Sequence, residues 1–233
     1  MRIRALTLFP KMFDCLYESI IGRAIKNGII DFKAVDIREY SKDKHFKCDD
    51  TPYGGGAGMV MTVQPIYDCI NAVDPHHEYL RVYMSPKGET LSDKCARGLA
   101  ACDSLLLLCG HYEGIDQRAI DMCIDREISV GDYVLSGGEL AAMTVIDAAA
   151  RFVDGVLGKN VSHEDESFAD GLLEYPQYTR PPVFMGRAVP EVLLNGNHKE
   201  IERFRRESSA KLTQERRGDL FAARNDSKNS EGD

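Results

Sequence analysis

Three short glycine-containing segments, at residues 85–88, 110–114 and 131–138, are the part of this sequence best suited to bind a small molecule. Glycine permits tight turns and lets backbone N–H and C=O groups come close to a ligand. Any one of these segments is also typical of an ordinary turn. Three in succession favour a shared pocket, which is not a common nucleotide site because no Gly-x-Gly-x-x-Gly or Gly-Lys-Ser/Thr pattern is present.

Two further segments contain residues that could take part in chemistry. Residues 155–170 include the carboxylates Glu164, Asp165 and Glu166, which could act as general bases, although a solvated acidic loop is the simpler interpretation. The glycine run at 53–58 suggests a small phosphorylated substrate. It fails the phosphate-loop pattern, however, because Met59 follows its last glycine.

The elements around these segments alternate between strand and helix. Alternation of this kind predicts an α/β domain with a parallel sheet and helices on both faces. Ligands of such sheets bind beyond the carboxyl ends of the strands, so the loops predicted at 85–90, 110–115 and 131–138 should converge. Strands are predicted at 2–8, 30–37, 79–84, 104–109 and 127–130, and helices at 12–26, 65–73, 91–101, 116–124 and 139–153.

The composition changes after Phe152 and predicts a second region. We expect an α/β domain at 1–154, a flexible acidic linker at 155–170 and a helical region at 171–233, disordered from residue 225 onwards. Residues 198–224 hold eight Lys or Arg against five Asp or Glu, whereas the whole chain has a net charge of −8. The negative total argues against non-specific coating of nucleic acid, but the C-terminal region is locally basic.

Composition also favours a cytoplasmic protein. The seven cysteines are odd in number and form no Cys-x-x-Cys pair, which predicts reduced thiols. The longest strongly apolar run, at 105–109, is far shorter than the roughly 20 residues that cross a bilayer. The N-terminal residues are typical of a first strand and not of a signal peptide.

Several longer motifs occur in one order along the chain. Together they resemble the bacterial tRNA (guanine-N1)-methyltransferase family, and the likeness extends from the N-terminus to about residue 217. The motifs are YGGGAGM at 53–59, LCGHYEGID at 108–116, ISVGDYVLSGGE at 128–139, SFADGLL at 167–173, YTRP at 178–181 and GNH at 196–198.

The resemblance implies transfer of a methyl group from S-adenosylmethionine to N1 of the guanosine immediately 3′ of the tRNA anticodon. It implies a SPOUT fold, in which the α/β domain contains a deep C-terminal trefoil knot, with a small helical domain that binds tRNA. It also implies a homodimer with its active site at the subunit interface, and a magnesium requirement for which no motif identifies ligands. Elements alone would not predict a knot, because knotted chains are rare.

The resemblance also implies roles for individual residues. Glu113 would hydrogen-bond the target guanine. Positive charge should position the tRNA, and the candidates are Arg203, Arg205, Arg206 and Lys211, although a solvated helix face explains each of them equally well. The S-adenosylmethionine site would be lined by Tyr83, Met84, Ser85, Pro86, Gly110, Ser129, Val130, Gly131, Tyr133, Leu135, Gly137 and Gly138.

Methylation of guanine N1 requires a base, because that nitrogen carries a proton. The family uses an aspartate just before its Ser-Phe motif. Here Glu166 stands at that position and Asp165 precedes it, so Glu166 is the first choice and Asp165 the alternative. Arg151 matches the catalytic arginine, which stabilises negative charge on the O6 side of guanine.

Two other functions remain open at this stage. The Glu166 departure and the net negative charge suggest a tRNA-binding homologue that has lost catalysis. The glycine run at 53–58 suggests an α/β transferase that acts on a small phosphorylated substrate. We rank both well below the methyltransferase.

Overall fold

The computed structural model describes residues 1–157, 166–168 and 170–230, with side chains to residue 224. The chain forms two compact units, Met1–Lys159 and Asn160–Asp233, which are described separately. The boundary falls within the acidic segment predicted as a linker. No helix in the described ranges combines the length and apolar character needed to span a membrane.

The first unit alternates strand and helix as predicted. Its strands are β1 (Arg2–Thr7), β2 (Asp31–Asp36), β3 (Asp49–Asp50), β4 (Val60–Met61), β5 (Leu80–Thr90), β6 (Ser104–Cys109) and β7 (Arg126–Ser129). Its α-helices are α1 (Ser19–Lys26), α2 (Val63–Val73), α3 (Asp93–Ala100), α4 (Gln117–Cys123) and α5 (Glu139–Ala150).

Five strands form one parallel sheet in the order β2-β1-β6-β5-β7, which confirms the predicted α/β architecture. Strand β6 lies at its centre, and all six of its residues are buried. Because side chains alternate across a strand, Leu105 and Leu107 face one apolar cluster, while Leu106 and Leu108 face the other. A central strand covered on both faces explains the continuous apolar run at 105–109.

Helices cover both faces of this sheet. Helices α1, α3 and α5 pack on the cluster that includes Val145 and Leu99. Helices α2 and α4 pack on the opposite cluster, which includes Ile70 and Ala119. The core therefore holds the carboxyl ends of β5, β6 and β7 in place at one edge of the sheet.

The first predicted loop, at 85–90, is wrong in its secondary structure, because β5 continues to Thr90. Met84 and Glu89 both pair with Ile128 of β7, so the residues between them are displaced and the ladder then resumes. A Cβ at Gly88 would lie 2.3 Å from the carbonyl carbon of Glu127, which explains the glycine there. The predicted strand ended at residue 84 because the remaining residues of β5 have no apolar pattern. Pairing with β7 extends the strand to Thr90.

Two predicted helix boundaries are also wrong. The helix predicted at 12–26 is a 3-10 helix at Pro10–Tyr17 followed by α1, because Ser19 adopts a positive φ of 57°. Helix α5 ends at Ala150, three residues early. In the second unit, helix α6 (His198–Arg216) is separated from α7 (Gly218–Ser230) at Arg217. Helix α7 also occupies most of the segment predicted to be disordered from residue 225 onwards.

The second unit consists of short elements around α6. Residues 176–190 contain a hairpin of strands β8 (Val183–Phe184) and β9 (Arg187–Ala188). The segment around Leu173 is fixed on α6, because its backbone N–H donates to Thr213 Oγ1 at 2.9 Å and its carbonyl accepts from Ser209 Oγ at 2.5 Å. This attachment fixes the SFADGLL segment within the second unit.

Candidate active site

A cavity of about 280 Å³ lies at the carboxyl ends of β5, β6 and β7. Its volume is close to the lower end of the roughly 300–1,000 Å³ typical of ligand pockets. All twelve residues that sequence reasoning assigned to cofactor binding line this cavity, and Glu113 lines it too. The three glycine-containing segments therefore converge, as the strand order requires.

Gly110 and Gly138 bring two backbone segments into close contact in the wall of the cavity. The N–H of Gly138 donates to the carbonyl of Gly110 at 2.9 Å, which joins the third segment to the second. A Cβ at Gly138 would lie 2.8 Å from Cys109 Cα and 2.9 Å from the Gly110 nitrogen. Only glycine permits this approach, so the spacing of the two loops depends on it.

The turn after β7 is stabilised by its own side chains. Ser129 Oγ donates to the carbonyl of Gly131 at 3.0 Å and accepts from the Gly131 N–H at 3.2 Å. Tyr133 Oη donates to the carbonyl of Val130 at 3.2 Å. These bonds hold the backbone of the turn in one conformation at the cavity.

Tyr83 is the buried polar side chain at the floor of the cavity. Burial raises the pKa of Tyr83 to about 12, and the nearby Glu127 carboxylate acts in the same direction. Within the described residues its hydroxyl has no hydrogen-bond partner. The phenol is therefore protonated and able to donate a hydrogen bond to a ligand.

Sequence reasoning missed a buried polar cluster beside the cavity, formed by Thr7, His111 and Glu139. His111 Nε2 lies 2.8 and 2.7 Å from the two carboxylate oxygens of Glu139, and Thr7 Oγ1 lies 2.5 Å from Glu139 Oε1. Glu139 and Thr7 are completely buried. His111 and Glu139 belong to the motifs LCGHYEGID and ISVGDYVLSGGE, but nothing in their spacing indicates that they pair.

The glycine run at 53–58 supports the second loop of the cavity. The N–H of Glu113 donates to the carbonyl of Met59 at 2.9 Å, and the N–H of Met61 donates to the carbonyl of Gly114 at 2.9 Å. A Cβ at Gly58 would lie 2.5 Å from the Glu113 side chain. This segment therefore contacts the predicted guanine-binding residue.

The predicted catalytic residues lie in both units. Arg151 is the C-cap residue of α5 in the first unit and is half-buried. Glu166 belongs to the second unit and is also half-buried, next to Ser167, whose Oγ accepts from the N–H of Glu174 at 2.9 Å. Asp165 lies outside the described residues.

Comparison with known proteins decides the family. A family model described as tRNA (Guanine-1)-methyltransferase TrmD matches residues 1–223. A tRNA (guanine-N(1)-)-methyltransferase of Clostridium botulinum is 54% identical over 221 residues, which cover 95% of this chain and 92% of that relative. One of Clostridium perfringens is 53% identical over 95% of this chain and 93% of the relative.

The chain belongs to the tRNA (guanine-N1)-methyltransferase family. The resemblance found in the motifs is thereby confirmed, and the protein is a methyltransferase that modifies tRNA. Family membership favours the enzyme over both alternatives, the inactive homologue and the transferase acting on a small phosphorylated substrate.

The second unit of this methyltransferase contains a groove of about 610 Å³. Its lining includes Tyr175, Tyr178, Arg180 and Arg205, and the guanidinium of Arg205 lies 4.8 Å from the ring centroid of Tyr175. The other predicted tRNA-binding residues on α6 do not line it. Arg203 is exposed, and exposed Arg206 forms an ion pair with Glu202 at 2.9 Å.

The described residues do not form a metal site. None of their His, Cys, Asp and Glu side chains cluster in groups of three or more that could hold an ion. The magnesium requirement implied by the family resemblance is therefore not matched by a cluster of this kind in the described ranges.

Proposed function

We propose that this methyltransferase uses S-adenosylmethionine as methyl donor and methylates N1 of the guanosine immediately 3′ of the tRNA anticodon. The observation that carries the proposal is the single cavity lined by all twelve residues assigned to the cofactor by resemblance. Glycines at 110, 137 and 138 let the segments that line the cavity pack closely, because a Cβ at each of them would meet atoms of a neighbouring residue. S-adenosylmethionine, when bound, would supply a methyl group activated by its positive sulfonium, and the bond between methyl carbon and sulfur would break as the methyl group is transferred, leaving a neutral thioether.

The protein side chains handle the proton and the charge of the guanine. The base takes the N1 proton, so that the N1 electron pair can form the bond to the methyl carbon. Glu166 is the first choice for this base and Asp165 the alternative. Arg151 stabilises the negative charge that develops at O6, and the Glu113 carboxylate accepts a hydrogen bond from the exocyclic amino group. Because N1 of the guanine lies inside a base pair or stack, the target guanine must leave its stack to react.

Binding of tRNA is assigned to the second unit. Its groove combines tyrosines, on which bases can stack, with arginines that can contact phosphates. Arg205 lines this groove, whereas Arg203 and Arg206 present positive charge elsewhere on α6. The net positive charge of residues 198–224 supports the same assignment.

A trefoil knot in the first unit is supported by the path of the third loop. That loop leaves the edge strand β7, yet Gly137 pairs with His111 and Gly138 bonds to Gly110, both after β6. Strand β5 lies between β7 and β6 in the sheet, so the chain crosses beyond the end of β5. Such a crossing is what threading through a knot requires.

A homodimer is supported by exposed apolar side chains on the first unit. Met12 and Tyr17 of the 3-10 helix and Leu140 of α5 are all exposed, and these two elements contact each other. Exposed apolar surface of this kind is typical of interaction sites. We also propose a cytoplasmic location, since tRNA is the substrate.

Single-turnover methyl transfer tests this function. The substrate is a tRNA with guanosine immediately 3′ of the anticodon, and the control tRNA has adenosine there. We expect wild type to methylate only the first, and Glu166→Gln to lose at least about 100-fold in rate. The affinity for S-adenosylmethionine should stay near that of wild type.

The neighbouring variant Asp165→Asn is the matched control. Loss of rate in Asp165→Asn with retention in Glu166→Gln would assign the base to Asp165. Retention of the wild-type rate in both variants would exclude Glu166 and Asp165 as the base. An inactive wild type would refute the proposed reaction.

A further inference from the structure

The buried cluster of Thr7, His111 and Glu139 joins the ends of two strands and the start of a helix beside the cavity. Thr7 ends β1, His111 follows β6 by two residues, and Glu139 begins α5 directly after Gly137 and Gly138. Thr7 Oγ1 uses its hydrogen on Glu139 and accepts from the N–H of Phe9 at 2.8 Å. This hydroxyl therefore both donates and accepts a hydrogen bond.

The chemistry of the cluster fixes where one hydrogen lies. A buried carboxylate is costly unless it is paired and hydrogen-bonded. His111 Nε2 lies within hydrogen-bonding distance of both Glu139 oxygens, so one hydrogen lies between the ring and the carboxyl group. The ring of Phe9 packs on the imidazole with 4.8 Å between centroids, which restrains its orientation.

The cluster connects the residues proposed to bind cofactor with the residue proposed to bind guanine. His111 lies between Gly110 and Glu113, and its carbonyl accepts from the N–H of Gly114 at 3.2 Å, which closes the turn that contains Glu113. A Cβ at Gly137 would lie 2.3 Å from His111 Cε1 and 2.6 Å from Glu139 Oε2. The imidazole and the carboxylate therefore pack directly against the cofactor loop.

We propose that His111, Glu139 and Thr7 are positioning residues for methyl transfer. They hold the loop of Gly110 and Glu113 at a fixed distance from Gly137 and Gly138, so that the cofactor site and the guanine-binding carboxylate stay in register. This inference rests on the proposed function, since it takes S-adenosylmethionine as the ligand of the cavity. Misplacement of reacting groups by about 1 Å can cost about 100-fold in rate, so a small loop shift is sufficient to lower kcat.

A second buried ion pair in the same unit provides the control for a purely structural role. Arg81 Nε donates to Asp74 Oδ2 at 2.7 Å, and both side chains are buried at the amino-terminal end of β5, away from the cavity. Breaking this pair with Asp74→Asn should lower the free energy of unfolding. It should leave kcat and the KM values for S-adenosylmethionine and for tRNA unchanged.

The test compares His111→Gln with His111→Asn, two amide side chains that differ only in length. The side-chain nitrogen of glutamine extends to about the position of His111 Nε2, whereas that of asparagine stops near Nδ1. We expect His111→Asn to lower kcat/KM for S-adenosylmethionine at least about tenfold. His111→Gln should recover most of that loss. Isothermal titration with S-adenosylmethionine, steady-state kinetics with tRNA and urea unfolding are measured on each variant and on Asp74→Asn.

Equal kinetic constants in His111→Asn and His111→Gln would overturn the positioning role, as would a similar loss in Asp74→Asn. If His111→Asn does not fold, Thr7→Val and Thr7→Ser decide the question. Valine removes the hydroxyl and serine keeps it, so only valine should lower kcat/KM, and equal losses would overturn the proposal. A wild type that fails to methylate tRNA would instead refute the proposed function.

Discussion

The close approach of Gly138 to the second loop predicts the effect of a single added methyl group. Gly138→Ala would place Cβ 2.8 Å from Cys109 Cα and 2.9 Å from the Gly110 nitrogen. Both are backbone atoms, so neither can rotate away as a flexible side chain would. Alanine tolerates the φ of −78° at this position, and the effect is therefore steric and not conformational.

The magnitude follows from overpacking. Added methyl groups in well-packed sites cost about 1–3 kcal/mol. If the two loops move apart to relieve the clash, this cost appears as weaker binding of S-adenosylmethionine. At about 1.4 kcal/mol per tenfold change, Kd then rises by about fivefold to about 140-fold. If they stay together, the same cost lowers the free energy of unfolding.

The assay therefore measures both quantities for each variant. Isothermal titration gives Kd for S-adenosylmethionine, and urea unfolding gives stability. We expect the two free-energy changes of Gly138→Ala to sum to about 1–3 kcal/mol. Gly98→Ala in α3 is the matched control, because its Cβ meets nothing within 4 Å. That variant should be more stable by about 0.5–1 kcal/mol with unchanged Kd.

One result would refute the reasoning. If Gly138→Ala binds S-adenosylmethionine like wild type and unfolds within about 0.5 kcal/mol of it, the approach of the two loops does not constrain the site. A loss of affinity in Gly98→Ala would also count against it, since that residue lies in a helix interior away from the cavity.

Two further predictions concern single side chains. Hydrogen bonds from Arg118 lower the pKa of Asp116, which caps α4 by accepting from the Arg118 N–H at 3.0 Å. Asp116→Ala should cost about 0.5–2 kcal/mol near neutral pH in urea unfolding. Because the folded pKa is depressed, this stabilisation is present above the unfolded pKa of about 3.9 and is lost as pH falls through the folded value, so a pH-independent difference would contradict it. Tyr83→Phe should weaken S-adenosylmethionine binding by about 0.5–1.5 kcal/mol through loss of a hydrogen bond. The loss should be equal at about pH 7 and about pH 9, because a pKa of about 12 keeps the phenol protonated, and a loss that shrinks as pH rises would contradict this, since a phenolate cannot donate a hydrogen bond.

The order of elements and the place of the cavity could be predicted because they depend on local patterns. The apolar run at 105–109 identified β6, and alternation with helices required parallel pairing. Parallel pairing places all carboxyl ends at one edge, so the three glycine segments had to meet. The end of β5 could not be predicted, because its resumed pairing with β7 leaves no apolar pattern. The end of α6 could not be predicted either, because the break at Arg217 leaves no such pattern.

The sequence by itself determined the α/β class, the convergence of the loops and, through its motifs, the family. The tertiary structure decided which side chains meet. Thr7 and Glu139 are 132 residues apart, and His111 and Glu139 are 28 apart, yet they share one buried network. Helix and strand patterns report only interactions between near neighbours, whereas the partner of a buried carboxylate is set by strand order and by the path of the third loop.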